Sequence, residues 1–325
     1  MKKFLSLVLA LTMMMSLVTI NAGAKEFTDD EELNYKEAVD VISEISVVDG
    51  YEDGSFKPQN TLTRGAAAKI ICNLILGPTT AAELHADTAP YKDVPVSNTF
   101  SGYIAYCAKE GIISGYADGS FRPAGTLTGY AFMKMLLGAL GYDATYEGYT
   151  GGNWSINVAK QAIGIGLNKG LVDEFNGVDF VTREEAALYA FNTLKATMVD
   201  YDQKITTNVN GVDVTISQGN AKPVTWTEGI NEDGNIKDDG YVQFAEEYFP
   251  KLYLDNPTDA FGRPAREWEY SGNTVGTYVN HDILKKEFTT EVTGRDLYDV
   301  LGKSTIDDYE FLISVDGETE KNVLG

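Results

Sequence analysis

The sequence predicts a multidomain protein: an all-α bundle of three helix-loop-helix repeats followed by a β-rich C-terminal region. A nine-residue loop motif occurs twice and a helix opener recurs three times, while apolar spacing changes from helical to alternating after about Thr197. Self-similarity of this kind marks stacked repeats, each too small to bury its own apolar stripes alone.

In the first unit, placed at residues 25–80, Tyr35, Val39, Ile42 and Ile45 recur at helical spacing. The loop Gly50-Tyr51-Glu52-Asp53-Gly54-Ser55-Phe56-Lys57-Pro58 follows, then a second stripe of Ala67, Ile70, Ile71 and Leu74. The second unit, residues 88–145, repeats the design. Tyr103, Ile104 and Cys107 precede Gly115-Tyr116-Ala117-Asp118-Gly119-Ser120-Phe121-Arg122-Pro123, and Phe132, Met135, Leu136 and Leu140 follow. The third, residues 150–197, has Val158, Ile163 and Leu167, then Ala187, Ala190, Phe191 and Leu194.

Val39, Ile104 and Ile163 each stand seven residues before Ser46, Gly111 and Gly170, which sets the expected alignment. In that alignment Tyr51 and Tyr116 lie twelve residues before Thr63 and Thr128, but Phe175 lies seven before Thr182. The third loop is therefore expected to lack five residues. Thr63, Thr128 and Thr182 are placed as helix N-caps, and Glu185 gives Thr182 alone a capping-box partner. The Asp-Gly-Ser steps suit a tight turn with positive φ at Gly.

Residues 200–325 read as β-rich. Val212, Val214 and Ile216 alternate after Asn210-Gly211, a hairpin-turn signal. Trp268 and Tyr270 lead into Ser271-Gly272-Asn273, with Val275, Thr277 and Val279 beyond. Tyr309, Phe311, Ile313 and Val315 alternate into Asp316-Gly317, and a helix is expected near Tyr241 to Phe249. The weak return strand ending at Leu324-Gly325 suggests a piece of a longer protein.

Gly-Tyr-x-Asp-Gly-Ser-Phe-x-Pro followed by Leu-Thr-Arg resembles the S-layer homology family over residues 27 to 197. The resemblance implies three repeats in a pseudo-threefold helical spindle. It also implies grooves between repeats that bind secondary cell-wall polysaccharide, commonly carrying pyruvylated N-acetylmannosamine. Arg64 and Arg183 stand where the family carries its anion-binding Arg, and Gly50, Tyr51, Asp53, Gly115, Tyr116 and Asp118 stand where loop groups line the groove. Gly129 replaces the Arg in unit two, and Gly65-Ala66 departs from the usual Ala-Glu in unit one. Because such grooves are shared, Arg64 is expected to meet the loop at Gly115 and Tyr116. An Arg fork beside free helix N–H groups suits a carboxylate. The alternative is that both Arg residues brace repeat packing through acidic neighbours. Tyr51 and Tyr116 either stack on sugar rings or cover a core edge.

Lys2 and Lys3, the apolar run Phe4 to Val18 and Ala22-Gly23-Ala24 read as an export signal over residues 1–24, with a mature start at Lys25. The 26 basic and 48 acidic residues leave a net charge of −22, or −24 once Lys2 and Lys3 are removed. Such a surface repels nucleic acid and anionic lipid. With only Cys72 and Cys107, no disulfide framework is expected, and both thiols are placed among buried helical residues. His85 and His281 have no nucleophile in a recognisable setting, no metal-ligand cluster appears, and no cofactor is implied. Asp233-Gly234-Asn235 with Asp238-Asp239 fails calcium-loop spacing. The expected protein is a non-enzymatic, exported wall anchor. Its rivals are a self-associating surface-layer subunit and the anchor of a wall-active hydrolase.

Overall fold

The computed structural model describes residues 24–201, 204–209, 212–217, 220–226, 235–283, 296, 313–315 and 318–320. Apart from Ala24, the expected export signal lies outside these residues, as do Tyr309 and Phe311 of the last expected strand.

Each repeat contributes a helix pair, as the stripes predict. The helices are α1 (Lys36–Glu44), α2 (Arg64–Leu76), the short α3 (Pro78–Ala82), α4 (Ser101–Lys109), α5 (Gly129–Ala139), α6 (Trp154–Gly164) and α7 (Arg183–Leu194). One core runs through all three units and buries Val39, Ile42, Ile71, Leu74, Ile104, Phe132, Leu136, Val158, Ala190 and Leu194. Cys72 and Cys107 meet inside it with sulfurs 3.4 Å apart, both free and buried. The neighbouring thiol and burial push the Cys72 ionisation up, which disfavours the reactive thiolate. Among the described residues no helix is long and apolar enough to cross a membrane.

All three expected N-caps form. Thr63, Thr128 and Thr182 accept from Ala66 N, Ala131 N and Glu185 N at 3.2, 3.4 and 3.2 Å, and only Thr182 has the reciprocal box with Glu185. Thr182→Ala is expected to cost about 1 kcal/mol in urea melts, more than Thr128→Ala. Just before the caps, three chain segments meet in antiparallel bridges, Thr61 to Thr182, Thr63 to Thr126 and Thr128 to Phe180. Leu62, Leu127 and Val181 pack beneath them, 2%, 3% and 2% exposed.

The expected alignment of unit three is corrected. Ile163 is 47% exposed, whereas Ala162 is fully buried. The left-handed residues that follow the first helices are Ser46 (φ 56°), Gly111 (φ 73°) and Gly166 (φ 79°), so Gly166 and not Gly170 matches the other two. The error is four residues, about one helical turn, a shift that leaves an apolar stripe nearly unchanged.

The C-terminal region forms small antiparallel sheets. β1 (Val199–Asp200) pairs with β4 (Lys222–Pro223), β2 (Lys204–Val209) with β3 (Val212–Ser217), and β8 (Ile313–Val315) with β9 (Glu318–Glu320). β5 (Leu252–Asp255), β6 (Ala265–Tyr270) and β7 (Asn273–Val279) form a meander, preceded by helix α8 (Phe244–Tyr248) where a helix is expected. Ser271 and Gly272 both take positive φ, as a two-residue hairpin turn requires.

This meander docks on the helices. Trp268 is fully buried, lies edge-on to Phe191 at 5.2 Å, and donates through Nε1 to Glu37 at 2.8 Å. Arg266 forks onto both Glu37 oxygens at 2.8 and 2.6 Å, and Tyr278 donates to Asp40 at 2.6 Å. At the same junction Lys195 lies 3.9 Å over the Phe191 ring, and burial lowers its pKa to about 8. A Lys whose folded pKa falls below its unfolded value of about 10.4 makes stability rise as pH climbs between the two. Lys195→Met should therefore exceed the parent in stability at pH 7, with the gap closing towards pH 10. A pH-independent gap in urea melts would overturn this.

Candidate functional site

The two intact loops are built alike. Asp53 accepts from Ser55 N at 3.1 Å and Ser55 Oγ at 2.5 Å, and Asp118 accepts from the same groups of Ser120 at 2.9 and 2.6 Å. The Ser hydroxyl and amide hold the Asp53 carboxyl far below the usual range and Asp118 at about 2. Gly54 and Gly119 turn the chain at φ of 80° and 79°. Both Asp residues thus build the turn.

Sequence reasoning missed two residues that shape these loops. Asp29 receives Phe56 N and Lys57 N at 2.7 and 2.8 Å, and Asp93 receives Phe121 N and Arg122 N, both at 2.7 Å. These bonds hold Lys57 and Arg122 at positive φ of 55° and 61°, rare for residues with a Cβ. The signal was present in Phe27-Thr28-Asp29 and Tyr91-Lys92-Asp93. The aromatic of each triplet packs on its loop, Phe27 on Phe56 at 5.2 Å and Tyr91 on Phe121 at 5.3 Å. Gly50 and Gly115 make room for these rings, since a Cβ there would lie 2.6 Å from Phe27 and 2.3 Å from Tyr91. Gly115→Ala should cost roughly 1–3 kcal/mol by overpacking, read from thermal melts.

The Arg residues reach across to a neighbouring repeat. Arg64 of unit one donates through Nε to Phe121 O at 2.8 Å and through Nη2 to Ser114 O at 3.0 Å, both in the unit-two loop. Arg183 of unit three does the same to unit one, donating to Phe56 O and Asp49 O at 2.9 Å each. The backbone follows the same exchange: Arg64 N donates to Gly125 O, Gly129 N to Asp179 O and Arg183 N to Asn60 O. Unit one therefore sits on two, two on three, and three on one. The expected meeting of Arg64 with Gly115 and Tyr116 is present. Arg183, however, belongs to the complete loop at Gly50 and Tyr51, where an open depression of about 520 Å³ is lined by Gly50, Tyr51, Glu52, Asp53 and Lys57.

The exchange concentrates both sequence defects in one groove, between Gly129 and the third loop. That loop is also longer than expected. Ten residues separate Ser46 from Phe56 and Gly111 from Phe121, and nine separate Gly166 from Phe175, so one residue is missing and not five. Phe175 corresponds to Phe56 and Phe121, not to the loop tyrosines, because Asn176, Lys57 and Arg122 each accept the same turn bond, from Asp179 N, Asn60 N and Gly125 N.

In the two Arg grooves the tyrosine lies among cations. Arg64 and Arg122 approach the Tyr116 ring at 5.0 and 4.1 Å, and Arg183 and Lys57 approach Tyr51 at 4.7 and 4.2 Å. Cation–π contact already engages these rings, which leaves less ring face for a sugar. The helix N–H groups expected to bind an anion are also taken: Arg64 N and Gly65 N by Gly125 O and Pro123 O, and Ala66 N by Thr63. What remains is the guanidinium. Arg64 and Arg183 are half-buried, bond backbone carbonyls, and make no ion pair with a carboxylate among the described residues. Burial lowers the pKa of both.

Residues 26–68 and 90–129 match the family described as S-layer homology domain. Both matches lie in the N-terminal helical part, and the third unit lies outside them. A surface layer protein of Brevibacillus choshinensis is 25% identical over 188 residues, covering 57% of this chain and 17% of that protein. An uncharacterized cell wall amidase of Bacillus anthracis is 28% identical over 153 residues, covering 45% and 28%. A cellulosome-anchoring protein of Acetivibrio thermocellus is 28% identical over 134 residues, covering 38% and 30%. The chain thus spans less than a third of the length of each of these relatives.

Proposed function

We propose that the chain is a non-enzymatic anchor that retains an exported protein on the bacterial cell wall by binding secondary cell-wall polysaccharide. In this reading the repeats at 25–80, 88–145 and 150–197 form a pseudo-threefold bundle, and the region from 200 onward is cargo or spacer. The observation that carries it is a pair of half-buried guanidiniums, Arg64 and Arg183, each clamped on a neighbouring loop without a carboxylate partner. In a chain with 48 acidic residues, an unneutralised cation held in place marks a site for an external anion. The carboxylate of a pyruvylated sugar has the required charge and planarity. It would approach the outer Nη edge, since Nε and one Nη are spent on carbonyls. Two such contacts on one rigid body lengthen residence by multivalency.

Pull-down on isolated walls tests this, with and without their non-peptidoglycan polymer. Equal retention on stripped walls would sink it. The named surface layer relative favours a second reading, lateral self-assembly, which ordered sheets growing with concentration would support. The named amidase relative makes release of wall fragments by the purified chain the test of an enzymatic role.

A further inference from the structure

The chain carries only two cysteines, and both fall on one junction between repeats. Cys72 lies on α2 of unit one and Cys107 on α4 of unit two, both fully buried, with sulfurs 3.4 Å apart. Each sulfur also reaches across to the opposite helix, Cys72 to Tyr103 O and Cys107 to Ala68 O, both at 3.6 Å. The two other junctions carry no thiol. Cys72 stands nine residues after the Thr63 cap, where Leu137 and Phe191 stand after Thr128 and Thr182. Cys107 stands four residues before the left-handed Gly111, where Ile42 and Ala162 stand before Ser46 and Gly166. All four counterparts are buried apolar side chains. Packing alone therefore does not call for two thiols at this junction.

We propose that Cys72 and Cys107 close a disulfide that ties unit one to unit two once the chain is exported. The proposal rests on the export half of the anchoring reading, since a cytosolic chain would keep both thiols reduced. The oxidant is a second disulfide, either a small one such as oxidised glutathione or that of an exported dithiol oxidoreductase. The thiolate of one cysteine attacks it, forming a mixed disulfide and expelling one thiol. The other cysteine then attacks its partner's sulfur, and the Cys72–Cys107 bond forms as the second thiol leaves. Two protons and two electrons thus pass to the oxidant. The sulfurs must close by about 1.4 Å to reach bonding distance. Burial and the neighbouring thiol disfavour the thiolate in the folded chain, so the bond forms while the junction is open and is shielded afterwards. Its place also bears on one groove. Arg64 opens the same helix about two turns before Cys72 and grips Ser114 O and Phe121 O of unit two. The bond fastens α2 to unit two behind that grip, a fastening that the groove of Arg183 lacks.

The test is oxidative refolding of the whole chain in oxidised and reduced glutathione, without wall polymer, followed by thiol counting in denaturant and intact mass. Thiols should fall from two to zero per chain without dimers or glutathione adducts. A non-reduced digest should hold the peptides of Cys72 and Cys107 together. The oxidised chain should melt about 5–10 °C above the reduced one, because the bond closes a loop between positions 35 apart. Cys72→Ala with Cys107→Ala should melt alike with and without reductant. Two thiols persisting after refolding, or lost only to glutathione or a second chain, would overturn the proposal. An oxidised chain that melts below the reduced one would overturn the tie between units. These readouts are separate from the pull-down: persisting thiols would leave wall binding standing, and a failed pull-down would leave the disulfide standing.

Discussion

Arg64→Ala is expected to weaken binding to purified wall polymer about thirtyfold, the loss of one charge-assisted contact of about 2 kcal/mol. Arg183→Ala is expected to match it. Judged from its own repeat, Arg183 sits on a degraded loop and should matter less; in the fold it completes the intact loop at Tyr51. Removing both should abolish retention, because neither groove then keeps an Arg without a carboxylate partner; Arg122 beside Tyr116 is paired with Asp118. Lys109→Ala, on an 81% exposed side chain, should change binding little. Gly129→Arg should fail to restore a third contact, since Tyr130 already packs on Gly177 and the neighbouring wall is acidic. Each Arg also braces its neighbour's loop, so melts must accompany the binding curves. A normally folded Arg64→Ala that binds like the parent would reduce the residue to a brace.

Trp268→Ala is expected to cost about 3–5 kcal/mol and to release the three-stranded meander from the helices. The side chain fills the junction against Phe191, and its indole N–H is one of three donors on Glu37. Without it a cavity opens next to the part-buried Glu37 carboxylate, which keeps two of its three donors, both from Arg266. Arg266→Met tests the same latch from its charged side and should also destabilise by several kcal/mol, because Glu37 then keeps a single donor. Hydrogen exchange should show early loss of protection in β5–β7. Unchanged protection there, with only a lowered melting temperature, would mean that the meander is held by other contacts.

Much of the helical part was legible because its determinants are local. The stripes of α1, α2, α4 and α5 and the three Thr caps involve residues within a turn or two of one another. Unit three was misaligned because Gly166 and Gly170 lie one helical turn apart and either can follow an apolar stripe. The partner of Arg183 was hidden for a different reason: its acceptors lie 127 and 134 residues earlier, and no local pattern encodes such a pairing. Asp29 and Asp93 were overlooked because a carboxylate bonded to amides 27 to 29 residues ahead looks like any surface acid in a list. In the C-terminal region the hairpins were readable from their turns, whereas the Glu37 latch joins residues about 230 positions apart.

The cyclic exchange of loops also sets an order in time. A chain that threads outward from its N-terminus presents Asp49 and Tyr51 early, but the guanidinium that completes their groove lies 134 residues beyond Asp49. The groove around Tyr116 is different, because Arg64 has already emerged when its loop arrives. Nascent chains arrested before Arg183 would therefore carry one grip at most, and full adhesion would begin only when the third repeat folds back onto the first.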